Sequence, residues 1–211
     1  MAEGGDRRLQ PSRGRSVLRA KSALTRDRIA DVALELFNTE GYTAITTNRI
    51  AQACAISPGN LYYHFRNRED ILWYLFEGVE RRIHALFIAP DFPETGVDRL
   101  RLQLTGAAEI LAEFRFFFHD HIAILRRDPR VEASYRRLQR DVSEAVARAL
   151  QPLTGESAEQ SYGLACSIWI IATGWISFLE VQGTAVDSVS ILSLVDAVLA
   201  LVRPRLTRPG S

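Results

Sequence analysis

The sequence predicts an all-α protein of about nine helices, and three observations carry that prediction. Apolar residues recur at i, i+3 and i+4 through most of the 211 residues. No segment alternates apolar with polar residues as a half-buried strand would. The interruptions carry Ser, Thr, Asn or Asp at helix starts, and Gly or Pro at helix ends.

Length and composition bound the rest. A chain of 211 residues suits one or two domains and can bury a sizeable core. The basic N-terminus is not followed by the apolar run of a signal peptide. Cys54 and Cys166 lie far apart, with no CxxC, and read as small core residues of a protein in the reducing cytoplasm. The charge is unevenly spread. Residues 1–68 hold 11 Lys/Arg against 6 Asp/Glu, a net +5; residues 69–211 hold 15 against 19, a net −4. The basic excess therefore marks the N-terminal end as the side that meets phosphates.

Residues 1–24 are rich in Gly, Ser and Arg, and read as a disordered basic arm. Arg7, Arg8, Arg13, Arg15, Arg19 and Lys21 are suited to tracking phosphates or entering a minor groove, with a solvated tail as the alternative. The domain from 25 to 70 follows. Its first helix runs from Thr25 or Arg26 to Thr39, with Ile29, Val32, Ala33, Leu36 and Phe37 on one face and Gly41 as a left-handed cap. Arg26 and Arg28 face outward, toward a DNA backbone.

The stretch TTNRIAQACAISPGNLYYHF, residues 46–65, predicts two short helices joined by a tight turn. Thr46 caps the first, and Ile50, Ala51 and Cys54 form its apolar stripe. Ser57 caps the second and Pro58 occupies its first position, where a missing N–H is harmless. Leu61 and Phe65 face inward. Asn60, Tyr62, Tyr63 and His64 face outward, a surface of donors and flat rings without an acid. A helix-turn-helix requires this division between an anchoring face and a reading face.

With IADVALELF in the first helix followed by GY, then RIAQA, SPGNLYYHF and the exit NREDIL, the segment from about Arg26 to Leu72 resembles the DNA-binding domain of the tetracycline-repressor (TetR) family. The resemblance implies an N-terminal three-helix DNA-binding domain and, over 71–211, a helical effector-binding and dimerisation domain. It implies a cytoplasmic homodimer that binds palindromic double-stranded operator DNA and responds to a small-molecule effector, most often as a repressor. The expected DNA-contacting residues are Thr46, Thr47, Asn48, Ser57, Gly59, Asn60, Tyr62, Tyr63, His64 and Arg68. Two positions depart from the family pattern. Ala55 stands where the turn usually has Gly, which suggests a slightly different turn, and Asn48 stands where Arg is frequent. Asn pairs with adenine where Arg prefers guanine, so the relatives' operator does not transfer.

Asn67 caps a fourth helix that runs to about Phe87, with Glu69 and Asp70 favourably placed in its first turn. Ala89-Pro90-Asp91-Phe92-Pro93 breaks it. Further helices are expected over Val97 to Phe114 or Arg115, Phe116 to Arg127, Arg130 to Leu150, Ala158 to Val181 and Asp187 to Val202, with a loop from Pro152 to Glu156. The run from Ser161 to Leu179 has no charge, but its Gly, Ser and Thr content and non-basic flanks argue for a helix buried on two sides, not a membrane span. Its double apolar face, and that of the last helix, predict a dimer interface of Ile168, Trp175, Phe178, Ile191, Leu194, Val198 and Leu201. Phe114, Phe117, Phe118, His121, Tyr162 and Trp169 are expected to line the effector pocket. Mixed aromatics with few inward charges point to a small apolar or aromatic effector.

No catalytic or metal constellation appears. His119 and His121 point apart on a helix, His64 and His84 are isolated, and no nucleophile triad, P-loop or GxGxxG turn occurs. The residues leave one other class open: a helical interaction protein whose basic arm binds nucleic acid non-specifically.

Overall fold

The computed structural model of the chain describes residues 13–88 and 96–207, and all of its regular structure among these is helical. The α-helices are α1 (Arg13–Glu40), α2 (Thr47–Ala53), α3 (Pro58–His64), α4 (Arg68–Phe87), α5 (Gly96–Glu113), α6 (Arg115–Arg127), α7 (Pro129–Thr154), α8 (Ala158–Val181) and α9 (Ser188–Val202). A 3-10 turn, Arg203–Arg205, follows α9. The expected break at Ala89–Pro93 and the arm's first twelve residues lie outside the described residues. The rest of the expected disordered arm is helical in the structure, because α1 begins at Arg13.

Helices α1 to α3 close around Ile29, Ala33, Phe37, Ile45, Ile50, Leu61 and Phe65, all buried. The N-terminal turn of α4 completes this core with Ile71 and Leu72. The rest of α4 packs on α5 and α7. One helix thus belongs to both halves. An ion-pair cluster holds its start: Arg130 of α7 donates to Asp70 (2.9 Å) and to Asp128 (2.8 Å), and lies over the Trp73 ring. The same arginine holds the Asp128 carboxyl below its usual range.

In the C-terminal half, α7 and α8 are joined by a short turn in which Gly155 has φ 68°, the left-handed conformation that suits glycine. Ser157 and Gln160 form a reciprocal capping box at the start of α8. The loop expected from Pro152 is instead the last turn of α7, which runs to Thr154. A proline in the last turn removes a single backbone hydrogen bond, the one to the Arg148 carbonyl, so the helix still runs two residues beyond it; Thr154 there donates its hydroxyl to the Leu150 carbonyl. The Trp175 indole N–H donates to the Ser190 carbonyl at 3.2 Å, tying α8 to α9. Helix α8 is long and apolar enough to cross a membrane by length and composition alone. Its inner side packs on α7, α6 and α9.

Helix α6 touches both halves of the molecule. The Asn38 amide donates to the Glu113 carbonyl (2.7 Å) and accepts from the Phe116 N–H (3.1 Å). The Phe116 ring then lies 5.2 Å from Phe37 and 6.1 Å from Tyr42. Helicity breaks once inside α6, at Asp120.

Candidate nucleic-acid interface

The outer face of α3 is built by caps and anchors before any partner arrives. Thr46 accepts from the Arg49 N–H and Ser57 from the Asn60 N–H, each at 3.2 Å, so both short helices start at fixed positions. Leu61 and Phe65 are buried beneath α3. Arg28 of α1 reaches across to the Cys54 carbonyl at 2.5 Å and so satisfies the end of α2. Burial raises the pKa of the Cys54 thiol, which keeps it protonated and inert.

Between the two helices Ala55 takes φ 53°, a left-handed conformation. The turn is therefore not rearranged to suit alanine, as the sequence suggests. The backbone keeps the geometry in which glycine is unstrained, and alanine bears a cost of about 1 kcal/mol.

Most residues expected on the DNA side are exposed, on two helices that pack against each other. Thr46, Asn48, Ser57, Gly59 and Asn60 are open to solvent. Tyr63 is 78% exposed and Tyr62 50%. Thr47 is half-buried and pairs with the Tyr62 hydroxyl at 3.1 Å, bracing the two helices against each other. A Cβ added at Gly59 would meet nothing within 4 Å, so internal packing does not require glycine there. His64 is half-buried, its ring edge-on to Tyr63. Burial and then the nearby Arg26 push its pKa below the ordinary value, so the ring is neutral at pH 7.

Arg68 does not belong to this surface. Its side chain is 17% exposed, and Nη1 donates to the carbonyls of Tyr42, Thr43 and Ile45 at 2.9, 3.2 and 2.9 Å. It stacks over the Tyr42 ring and fixes the loop ahead of α2. Sequence position alone cannot show this, because a loop with three carbonyls needing donors looks like any other loop. Arg26 and Arg28 are likewise engaged within the protein, Arg26 over Phe65 and Tyr74 and Arg28 at the end of α2. Tyr74 in turn donates to Asp27.

The C-terminal half encloses a cavity of about 70 Å³ between α4, α5, α6, α7 and α8. Phe114, Phe117, Phe118 and Trp169 line it. His121 and Tyr162, expected there, do not. The His121 Nδ1 lies 3.1 Å from the Phe118 carbonyl, and Tyr162 is turned to the outer face of α8. Sequence reasoning missed Tyr135 and Ser143, which line the cavity from the charged helix α7. The signal for Tyr135 was available in the period of that helix, where Tyr135, Leu138, Val142 and Val146 recur at i, i+3, i+7 and i+11; a lone polar residue such as Ser143 gives none.

The predicted dimer residues divide. Ile168, Leu194 and Val198 are buried inside the chain itself and are corrected to subunit core. Trp175 and Ile191 are half-buried, whereas Phe178 and Leu201 are exposed. Both faces of an apolar helix look alike in sequence, and only packing against α5 and α8 shows which face of α9 is internal. The exposed side of α8 carries Ser167, Ile170, Gly174, Phe178 and Val181, an uncharged stripe with exposed Glu159 and Glu180 beside its two ends. Val189 and Leu192 of α9 are exposed as well.

Among the described residues no group of three or more His, Cys, Asp or Glu could hold a metal. Family models place the chain directly. A model described as bacterial transcriptional repressor, TetR, matches residues 79–211, and one described as bacterial regulatory proteins, tetR family, matches residues 29–75. The chain belongs to the TetR family. It is a DNA-binding transcriptional regulator, and regulators of this family bind operator DNA and act as dimers. The solved structure of a TetR-family regulator from Marinobacter aquaeolei VT8 is 31% identical, with a TM-score of 0.79 over 86% of this chain and 91% of that one. A transcriptional regulator encoded in the dhlA 5′ region of Xanthobacter autotrophicus is 26% identical over 82% of this chain and 83% of its own. UidR of Escherichia coli K12 is 27% identical over 60% of this chain and 65% of its own. The TetR family consists of regulators, not enzymes.

Proposed function

We propose that this TetR-family regulator is a cytoplasmic homodimeric repressor that binds a palindromic operator and leaves it when a small uncharged effector enters the C-terminal cavity. The observation that carries this reading is the outer face of α3, where Asn60, Tyr62 and Tyr63 stand exposed, without an acid, on a helix anchored from beneath. Asn60 and Asn48 are the base readers, through the side-chain amide that pairs with adenine. Tyr63 and His64 position the helix on phosphates. Gly59, whose missing side chain serves no internal packing, lets the backbone approach the DNA. The uncharged stripe of α8, with Val189 and Leu192 of α9, is the face that meets the second subunit. Its Gly and Ser positions admit close helix approach, and an apolar patch of this kind is rare on a monomer. The lack of charge in the cavity lining supports an apolar or aromatic effector.

The test is a pair of variants titrated onto the chain's own promoter fragment. Asn60→Ala should reduce discrimination between the operator and a point-mutated operator by about 1–3 kcal/mol. His64→Ala should weaken binding to both alike. A His64→Ala variant that alters sequence preference beside an Asn60→Ala variant that does not would reverse these roles.

A further inference from the structure

The cavity wall holds a polar group that the fold leaves unused. Ser143 lies on α7 with 1% exposure, lines the cavity, and its Oγ has no hydrogen-bond partner. A serine inside a helix commonly donates back to a carbonyl one turn earlier. Thr173 on the facing helix does so, to the Trp169 carbonyl at 2.9 Å. The Tyr135 ring lies edge-on to Trp169 at 5.7 Å, on the same wall. A buried hydroxyl left unpaired is unfavourable, and one on a cavity wall is placed to bond with what fills the cavity.

The remaining wall says what that partner carries. At one end, rings follow one another in contact: Phe76 to Phe117 at 5.4 Å, Phe117 to Tyr135 at 5.8 Å and Tyr135 to Trp169 at 5.7 Å. Ser143 lies eight residues beyond Tyr135 on α7, about 12 Å along the helix. Between and beyond them the wall is mostly aliphatic: Leu138, Val142, Ile83 and Val146. No lining residue is charged. An ionised ligand would therefore lose its hydration with no counter-ion to replace it.

Resting on the reading of this cavity as the effector site, we infer that the effector is a slender, uncharged molecule with an aromatic ring at one end. It carries a single hydroxyl or carbonyl about 10 Å away, which hydrogen-bonds to Ser143. The ring stacks among Phe117, Tyr135 and Trp169, and the linking chain lies along the aliphatic wall. At about 70 Å³ the cavity is smaller than the ~300–1,000 Å³ that encloses a typical ligand, so the helices around it separate on binding.

The experiment is calorimetric titration of the full chain with four matched probes: 6-phenyl-1-hexanol, hexylbenzene, 6-phenylhexanoate and 6-phenylhexylamine, at pH 8. The alcohol should bind tightest. The carboxylate and the ammonium should bind at least about a hundredfold more weakly. Ser143→Ala should weaken the alcohol by about five- to tenfold and leave hexylbenzene unchanged. Three results overturn the inference: a carboxylate or amine that matches the alcohol, a Ser143→Ala variant that affects alcohol and hydrocarbon equally or not at all, or no binding by any of the four. Promoter binding is measured on the same protein without probe. If the promoter is bound normally while the probes fail, the ligand assignment falls and the regulator reading stands; if the promoter is not bound, the regulator reading falls.

Discussion

Ala55 and His64 show how single residues of the helix-turn-helix can be strained or tuned without altering its shape. At φ 53° the Ala55 Cβ crowds its own backbone, and glycine would not. Ala55→Gly should stabilise the fold by up to about 0.5 kcal/mol, after the extra chain entropy of glycine is subtracted. A thermal melt should show a rise of about 1–2 °C, and a fall would mean that the turn is not strained. His64 is held neutral by burial and by Arg26. Because its folded pKa is lowered, its contribution to stability is complete above the ordinary value of about 6.5. That contribution fades as pH falls through 6.5 toward the lowered value. A phosphate beside the ring acts in the opposite direction and raises the pKa, so operator binding takes up a proton. Operator affinity should increase as pH is lowered from 7.5 to 6, and His64→Gln should flatten that dependence. Equal slopes for the two proteins would remove His64 from the phosphate contacts.

At the scale of helices, legibility followed capping and one-sided burial. Residues 46–65 read correctly because Thr46, Ser57 and Pro58 fix both starts, and because Leu61 and Phe65 leave one face to choose. The start of α4 read correctly through its Asn67 cap. Helices α8 and α9 did not yield as much, since apolar residues surround them and burial depends on neighbours distant in sequence. Leu194 and Val198 went to the wrong side for that reason. The proposed interface makes a clean prediction. Phe178 is 52% exposed and Ile170 67%. Phe178→Glu would place two like charges near the two-fold axis of a dimer, where burial costs several kcal/mol per ion. Sedimentation should show a folded monomer with greatly weakened operator binding. Leu194→Glu should unfold the chain instead. A Phe178→Glu protein that remains dimeric would exclude this face as the interface.

Over the whole molecule, the two halves are joined by elements that neither half owns. Helix α4 begins in the DNA-binding core and ends against the cavity. In α6, Phe116 packs on Phe37 and Tyr42 while its neighbours Phe117 and Phe118 line the cavity wall. The family and the division into halves were legible from local motifs. The Asn38 clasp, the inward turn of Arg68 and the free hydroxyl of Ser143 were not, because each depends on a partner that only folding brings near. In the function proposed for it, this architecture presents two recognition helices to one operator. Competition binding tests it most directly: labelled promoter DNA is bound by the full chain, then challenged with excess unrelated DNA, and the stoichiometry is measured. Two chains, or a multiple of two, should bind per site, with a preference of about a thousandfold or more for the promoter. Displacement by unrelated DNA at equal concentration, or one chain per site, would contradict it.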